Sequence, residues 1–189
     1  MIIIRQAGLK DLEAILQLQE KYHVSNLTEA EKQQKGFVTM KITPEQFTEL
    51  IEKQGVFIAF SDERLAAYAL TSAWDFYRQW PIIQKMEAFL PALRHNSTLL
   101  TTENSFQYGP VCIDEAFRGQ DILTRLFQAI QEAYKEQFSY AITFINQINE
   151  RSLRAHARRT PLSIVGEFAF NGNLYYVLAC PVSANLCAA

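Results

Sequence analysis

The sequence has few cysteines, no excess of basic residues and no long apolar run. Its three cysteines, Cys112, Cys180 and Cys187, form no Cys-x-x-Cys pair, which argues against a disulfide framework and against a zinc site. Lysine and arginine total 18 against 20 acidic residues, whereas general nucleic-acid binders usually have a basic excess. No stretch approaches the roughly 18 apolar residues of a transmembrane helix. We therefore expect no metal, no nucleic acid and no membrane among its ligands and partners.

The remaining composition is that of a globular protein. Hydrophobic residues make up 49% of the 189 residues and charged residues 20%, which suffices for a substantial core in one compact domain. The apolar run at residues 2–4 is too short for a signal peptide. Free thiols suit a reducing compartment. We therefore expect a soluble, cytoplasmic protein.

Hydrophobic periodicity predicts alternating strands and helices. Thr43-Pro44-Glu45-Gln46 has the pattern of a capping box at a helix start. Asn171-Gly172 is a strong two-residue hairpin signal. The predicted strands cover residues 2–6, 55–60, 64–71, 106–113 (interrupted at Gly109-Pro110), 140–145, 162–170 and 174–179. The predicted helices cover residues 9–22, 43–53, 82–89, 119–138 and 149–159. This pattern indicates an α/β (α+β) domain with a mixed sheet.

The most informative segment is a strand, a turn and a long amphipathic helix between Tyr108 and Phe127. The turn contains Arg118-Gly119-Gln120. A helix N-terminus leaves several backbone N–H groups unpaired and is partly positive, so it can bind an anion. Glycine beside it lets the backbone approach a phosphate closely. From these residues alone, an ordinary strand–turn–helix remains the alternative.

Residues 105–127 resemble the acetyl-CoA-binding segment of the GNAT acyltransferase superfamily, where an Arg/Gln-x-x-Gly-x-Gly/Ala loop wraps the CoA pyrophosphate. The helix from Asn149 to His156 resembles the second signature of that family. The order of elements fits nearly the whole chain. The resemblance implies a GNAT-like, mostly antiparallel sheet of about seven strands flanked by helices. Residues 1–189 would form a single N-acetyltransferase-like domain with an insert at about 74–104.

The implied activity is an acetyl-CoA-dependent N-acetyltransferase. The amine of a small molecule or peptide would attack the thioester directly, with acetyl-CoA as co-substrate and no metal. A homodimer is compatible with the sequence. By the resemblance, the residues that bind the cofactor are Val111, Cys112, Ile113, Arg118, Gly119, Gln120, Asp121, Ile122, Leu123, Asn149 and Ser152.

The sequence departs from the family pattern at three places. Asp121 and Leu123 stand where the family usually has small residues, and Thr160-Pro161 replaces a frequent Gly-Phe pair. The carboxylate of Asp121 would repel a phosphate, although an acid in the first turn favours the helix itself. These departures leave two alternatives open: a catalytically impaired GNAT-fold protein that acts as a CoA/ligand-binding or interaction module, and an enzyme that uses another acyl-CoA.

His156 lies seven residues after Asn149, where many relatives have a tyrosine that acts as a general acid toward the departing thiolate. Histidine can do this near neutral pH, so the resemblance implies a catalytic His156. Packing or capping is the alternative. The acceptor substrate would be walled by aromatic residues in irregular segments, namely Phe37, Trp74, Tyr77 and Tyr108, for which core packing is an equally good interpretation.

Arg151, Arg154 and Arg158 share one face of the helix that begins at Asn149. This face could meet the CoA 3′-phosphate or an acidic substrate. A solvated basic face is the alternative interpretation.

Overall fold

The computed structural model describes residues 1–61 and 63–184, so Cys187 lies outside the described residues. The strands are β1 (Ile2–Gln6), β2 (Val56–Ser61), β3 (Arg64–Ser72), β4 (Arg94–His95), β5 (Thr98–Leu99), β6 (Ser105–Ile113), β7 (Tyr140–Asn146), β8 (Ser163–Phe170) and β9 (Asn173–Pro181). The α-helices are α1 (Leu12–Tyr22), α2 (Glu29–Lys35), α3 (Pro44–Glu52), α4 (Trp74–Tyr77), α5 (Pro81–Phe89), α6 (Ile122–Tyr134) and α7 (Glu150–Arg159).

Seven strands form one mixed sheet in the order β1-β2-β3-β6-β7-β9-β8. The pairs β1–β2, β2–β3, β7–β9 and β8–β9 are antiparallel. The pair β6–β7 is parallel, from Ser105 opposite Tyr140 to Gln107 opposite Ile142. The mixed, mostly antiparallel seven-stranded sheet predicted from the sequence is therefore confirmed. The short strands β4 and β5 pair with each other outside it.

The chain divides into two compact units. Of the described residues, the first unit comprises those within 1–71 and 109–130, and the second those within 72–108 and 131–184. Strand β6 contributes to both.

The first unit contains β1, β2, most of β3, and helices α1, α2 and α3, together with residues 109–113 of β6 and most of α6. Thr43 accepts a hydrogen bond from the N–H of Gln46, and Gln46 reaches back to the N–H of Thr43, which confirms the predicted capping box of α3. A bidentate pair of Arg5 with Asp11 joins β1 to the turn before α1, at 2.7 and 2.8 Å. Fully buried side chains fill the interior, among them Ile15, Phe47, Leu50, Ile58, Leu126 and Phe127.

The second unit contains the predicted insert, which folds as α4, α5 and the β4–β5 hairpin. The predicted hairpin at Asn171-Gly172 is confirmed: Phe170 pairs with Asn173, and both turn residues have positive φ, at 46° and 75°. Gly166 of β8 lies against Leu93 and Phe89, and a Cβ built on it would come within 2.4 Å of Leu93 Cδ2. Glycine here lets the end of the insert pack closely on β8.

The element boundaries differ from the prediction in three informative places. Helix α6 begins at Ile122, not at Gly119, because Gly119 and Asp121 have φ values of 80° and 57°, which a right-handed helix cannot contain. Strand β6 continues through Gly109-Pro110, where an interruption was predicted. The β4–β5 hairpin was not predicted. Within the described residues, no helix has the length and apolar character needed to cross a membrane.

Candidate functional site

The turn between β6 and α6 is anchored by a buried carboxylate. Asp114 lies directly after β6, and its N–H donates to the carbonyl of Ala66 at 2.9 Å. Its side chain accepts from the N–H of Ala116 at 3.0 Å and from Lys21 Nζ at 3.0 Å. Burial raises the pKa of Asp114, but these two interactions outweigh it and the pKa is lowered overall. Asp114 is therefore a carboxylate held in place, which suits anchoring better than general-base catalysis.

Helix α1 supports the same turn through its last residue. The hydroxyl of Tyr22 accepts a hydrogen bond from the N–H of Glu115 at 2.8 Å. The guanidinium of Arg118 lies over the Tyr22 ring, 5.5 Å from its centroid. The start of the turn is thus fixed from two sides.

The side chain of Arg118 points to backbone carbonyls. Its Nε and Nη2 donate to the carbonyl of Ile113 at 3.3 and 3.2 Å, and Nη2 also donates to the carbonyl of Lys35 at 2.6 Å. By the family resemblance, Arg118 is predicted to contact the cofactor. In the structure its guanidinium links the turn to β6 and α2 by hydrogen bonds to their backbone carbonyls.

The rest of the turn exposes backbone donors. Among the described residues, no hydrogen-bond partner contacts the N–H groups of Gly119, Gln120, Ile122, Leu123 and Thr124. A Cβ built on Gly119 would have no heavy atom within 4 Å, so the turn is open on that side. Clustered N–H groups at the N-terminus of a 13-residue helix are partly positive. This arrangement can bind an anion through its backbone.

The two departures from the family pattern behave differently here. Leu123 is 6% exposed, so its side chain packs inward and leaves the N–H side of the turn open. Asp121 is exposed, and its Oδ1 accepts a hydrogen bond from Thr124 Oγ1 at 2.7 Å. Its φ of 57° lies in the left-handed region, which explains why a glycine suits this position. Asp121 therefore places both conformational strain and a negative charge at the turn.

The strand before the turn contains Val111, Cys112 and Ile113, the predicted pantetheine-binding residues. Cys112 is 3% exposed, and its Sγ approaches the carbonyl of Leu18 at 3.8 Å. Burial raises the pKa of this thiol. Cys112 is thus a buried thiol, so only its backbone is suited to contact a ligand.

In the second unit, Asn149 is the N-cap of α7. Its Oδ1 accepts a hydrogen bond from the N–H of Ser152 at 3.3 Å, and its side chain is buried. This geometry explains why an asparagine begins the helix. The predicted contacts of Asn149 and Ser152 with a cofactor stay predictions.

His156 lies one helical turn after Ser152 and is 6% exposed. Its Nδ1 is 2.8 Å from the carbonyl oxygen of Ser152, which can only accept, so Nδ1 carries the proton. The ring meets that of Tyr108 edge to face, with centroids 5.8 Å apart. Burial lowers the pKa of His156 more than the Ser152 carbonyl raises it. His156 is therefore a neutral imidazole whose Nε2 lone pair can accept a proton.

No protein-family model matches the chain, and no curated protein matches its sequence. Solved structures match it over nearly its whole length. An N-acetyltransferase from Staphylococcus aureus is 17% identical, with a TM-score of 0.63 over 97% of this chain and 99% of that one. A GNAT-family acetyltransferase from Streptococcus agalactiae is 15% identical, with a TM-score of 0.63 over 94% of both chains. A putative acetyltransferase from Salmonella typhimurium, solved with its cofactor acetyl-CoA, is 11% identical, with a TM-score of 0.63 over 97% of this chain and 95% of that one. The chain has the GNAT fold.

Most of the aromatic residues predicted to wall the acceptor are core residues of this GNAT fold. Trp74, Tyr77 and Tyr108 are each at most 1% exposed. Trp74 donates its Nε1–H to Ser105, and Tyr77 packs against Phe76 and Trp80. Of the predicted set, only Phe37 is partly exposed. The structure therefore favours the core-packing alternative for the three buried residues.

Sequence reasoning missed an aromatic cluster in the second unit of the GNAT fold. The rings of Phe144, Phe168 and Tyr175 lie within 5.2–5.8 Å of one another. The sequence did contain a signal for this cluster, because a two-residue turn at Asn171-Gly172 places Phe168 opposite Tyr175.

The arginine face of α7 is solvent-exposed. Arg151, Arg154 and Arg158 are all exposed, which both interpretations of that face require.

Proposed function

We propose that this protein is an acetyl-CoA-dependent N-acetyltransferase that acetylates a primary amine of a small molecule or peptide by direct attack. The observation that carries the proposal is the turn at residues 118–124, with five backbone N–H groups that have no partner among the described residues. It begins an amphipathic helix in a chain with the GNAT fold. A diphosphate is the ligand class that such a cradle suits.

The residues at the turn fit the pyrophosphate of CoA. The N–H groups of Gly119, Gln120, Ile122, Leu123 and Thr124 would donate to its oxygens, and the open side of Gly119 leaves room for them. The backbone of Val111–Ile113 would hold the pantetheine arm. When bound, acetyl-CoA supplies an activated thioester for the acyl transfer.

His156 would act first as a proton acceptor. Its Nδ1–H is bonded to the Ser152 carbonyl, which leaves Nε2 free to take the proton that the attacking amine loses. The imidazolium formed could then return that proton to the thiolate. The general-acid role predicted from the sequence therefore requires that the imidazole first be protonated.

Binding and turnover can be tested separately. Calorimetry and melting curves with CoA and acetyl-CoA test binding, since a ligand at 100 times its dissociation constant adds about 2.7 kcal/mol to the free energy of unfolding. Thiol release is then measured with acetyl-CoA and a panel of polyamines, amino acids, aminoglycosides and peptides. We expect CoA binding and amine-dependent thiol release. No binding of CoA at millimolar concentration would refute the proposal.

A second candidate function is supported by Asp121. Its exposed carboxylate lies at the anion-binding turn and would weaken a diphosphate complex. A CoA-binding module without turnover would bind CoA in calorimetry but release no thiol with any amine of the panel, whereas an interaction module would do neither. The same two experiments therefore distinguish the two functions.

A further inference from the structure

Few contacts made by the side chains of helix α2 fix its position. None of its seven side chains, Glu29–Lys35, is buried. Its internal support consists of a capping box between Thr28 and Glu31 and of ion pairs, one of them between Lys35 and Glu31 at 3.1 Å. A helix of seven residues without an apolar face is marginal in water. Contacts from outside the helix therefore decide where it lies.

Two sets of hydrogen bonds hold the segment that contains α2. Val38, shortly after the helix, pairs with the end of α1 and the residues that follow it: its N–H donates to the carbonyl of Tyr22 at 2.9 Å, and its carbonyl accepts from the N–H of Val24 at 3.0 Å. At the last turn of α2, Arg118 Nη2 donates to the carbonyl of Lys35 at 2.6 Å. A cation at the carbonyl end of a helix is favourable, because that end is partly negative.

Arg118 belongs to the phosphate-binding turn as well. The same guanidinium holds the carbonyl of Ile113 at the end of β6 and lies over the Tyr22 ring. One side chain thus joins the start of the turn to the end of α2. Gly36 and Phe37 follow α2 directly, and Phe37 is the partly exposed aromatic residue predicted to contact the acceptor.

We propose that Arg118 is a positioning residue that couples the phosphate-binding turn to helix α2 and to Phe37, and that its guanidinium does not bind the phosphate. The coupling itself follows from the contacts of Arg118 in the free protein. Its consequence for catalysis depends on the proposed function: loss of Arg118 should raise the KM of the acceptor amine more than that of acetyl-CoA.

The coupling is tested first without any ligand, by hydrogen exchange of peptides that cover residues 29–36. In Arg118→Gln these amides should exchange about tenfold faster than in the wild type, because a charge-assisted hydrogen bond is lost, and Arg118→Lys should restore part of the protection. Arg125→Gln is the matched control, since Arg125 donates to the carbonyl of Ile2 instead. Peptides from α3 report global unfolding. Unchanged exchange of residues 29–36 in a folded Arg118→Gln protein would overturn the proposal.

The second measurement asks whether Arg118 contacts the phosphate. Calorimetry with CoA and with inorganic pyrophosphate should give affinities for Arg118→Gln within about tenfold of the wild type, because the backbone N–H groups remain. A loss of 100-fold or more with normal exchange of α2 would assign Arg118 to the phosphate and overturn the proposal. If the wild type binds no CoA, the proposed function fails, whereas the exchange experiment still decides the coupling.

Discussion

The turn at residues 118–124 and the helix α7 with His156 offer ligands opposite kinds of chemistry. The turn presents backbone N–H groups on an open surface, and its side chains either pack inward, as Leu123 does, or serve the turn itself, as Arg118 does. On α7 the candidate chemistry belongs to one buried side chain, His156, whose tautomer is set by a backbone carbonyl and whose pKa is lowered by burial. The first site is built from the main chain and the second from a particular imidazole.

This difference determines how much each site can vary. Every residue except proline has a backbone N–H group, so Leu123, in a position that by the family resemblance usually holds a small residue, is compatible with the anion site that we propose at this turn. The proton acceptor that we propose has no such freedom, because Nε2 of His156 is lost with any other residue. We therefore expect substitutions at His156 to affect turnover, and substitutions in the turn to affect cofactor binding through its conformation.

The largest effect is expected for His156→Ala. Turnover should fall by roughly 10²–10⁴-fold, the usual range for general acid–base catalysis, because the proton acceptor is removed. The dissociation constant of CoA should stay nearly unchanged, since the turn is intact. Steady-state kinetics and calorimetry on the same preparation check both. His95→Ala is the control, as His95 is a partly buried histidine that packs against Tyr140. Normal turnover in folded His156→Ala would make His156 a packing residue.

The protonation of His156 also predicts a direction of pH dependence. Because its pKa in the folded protein is lowered, folding favours the neutral form, and this stability is complete above the unfolded pKa of about 6.5. It is lost as the pH falls below 6.5 toward the folded pKa. Turnover should be lost on acidification for the same reason, by about tenfold per pH unit below the folded pKa. A general acid alone would instead lose activity as the pH rises, which pH profiles of kcat/KM would reveal.

Local signals in the sequence predicted the regular elements well. The capping box of α3 is formed by Thr43 and Gln46, which lie within four residues of each other, so a short pattern predicts it. The two-residue turn Asn171-Gly172 likewise fixes the register of β8 and β9. The β4–β5 hairpin was missed because each strand has only two residues and no alternating pattern. Helix α6 was predicted three residues too early, because the positive φ of Asp121 cannot be read from an aspartate.

The candidate site was predictable in its backbone but not in its side chains. The glycine-containing turn and the asparagine cap of α7 are local features. The bond of Arg118 to the carbonyl of Lys35 joins residues 83 positions apart, so only the tertiary structure reveals it. Burial of Trp74 and Tyr77 likewise depends on packing partners that no short pattern encodes.

A smaller effect is expected for Gly119→Ala, which tests whether the backbone conformation forms the anion site. Gly119 has a φ of 80°, so alanine there should cost about 1–2 kcal/mol of stability. The strained turn should bind CoA about tenfold more weakly. Gly172→Ala is a matched control, because Gly172 has a φ of 75° and equally open space at its Cβ position. We expect both variants to lose the same amount in melting temperature, and only Gly119→Ala to bind CoA more weakly. If both variants bound CoA with the same affinity, the turn would be excluded as the CoA-binding site.

The smallest effect is expected for Asp121→Gly. Glycine relieves the left-handed φ of 57°, but it also removes the hydrogen bond from Thr124 and the favourable charge at the start of α6. These contributions should nearly cancel, so the free energy of unfolding should change by less than about 0.5 kcal/mol.

CoA affinity should nevertheless rise a few-fold in Asp121→Gly, because an exposed negative charge is removed from the proposed anion-binding turn. The gain should shrink at high salt, which screens exposed charges. Asn171→Gly is the control: Asn171 has a φ of 46° and lies in the β8–β9 turn, so it should gain stability without any change in CoA affinity. Calorimetry at two salt concentrations measures the difference. A weaker CoA complex in Asp121→Gly would mean that the contact of Asp121 with Thr124 shapes the cradle, and that the turn depends on a side chain after all.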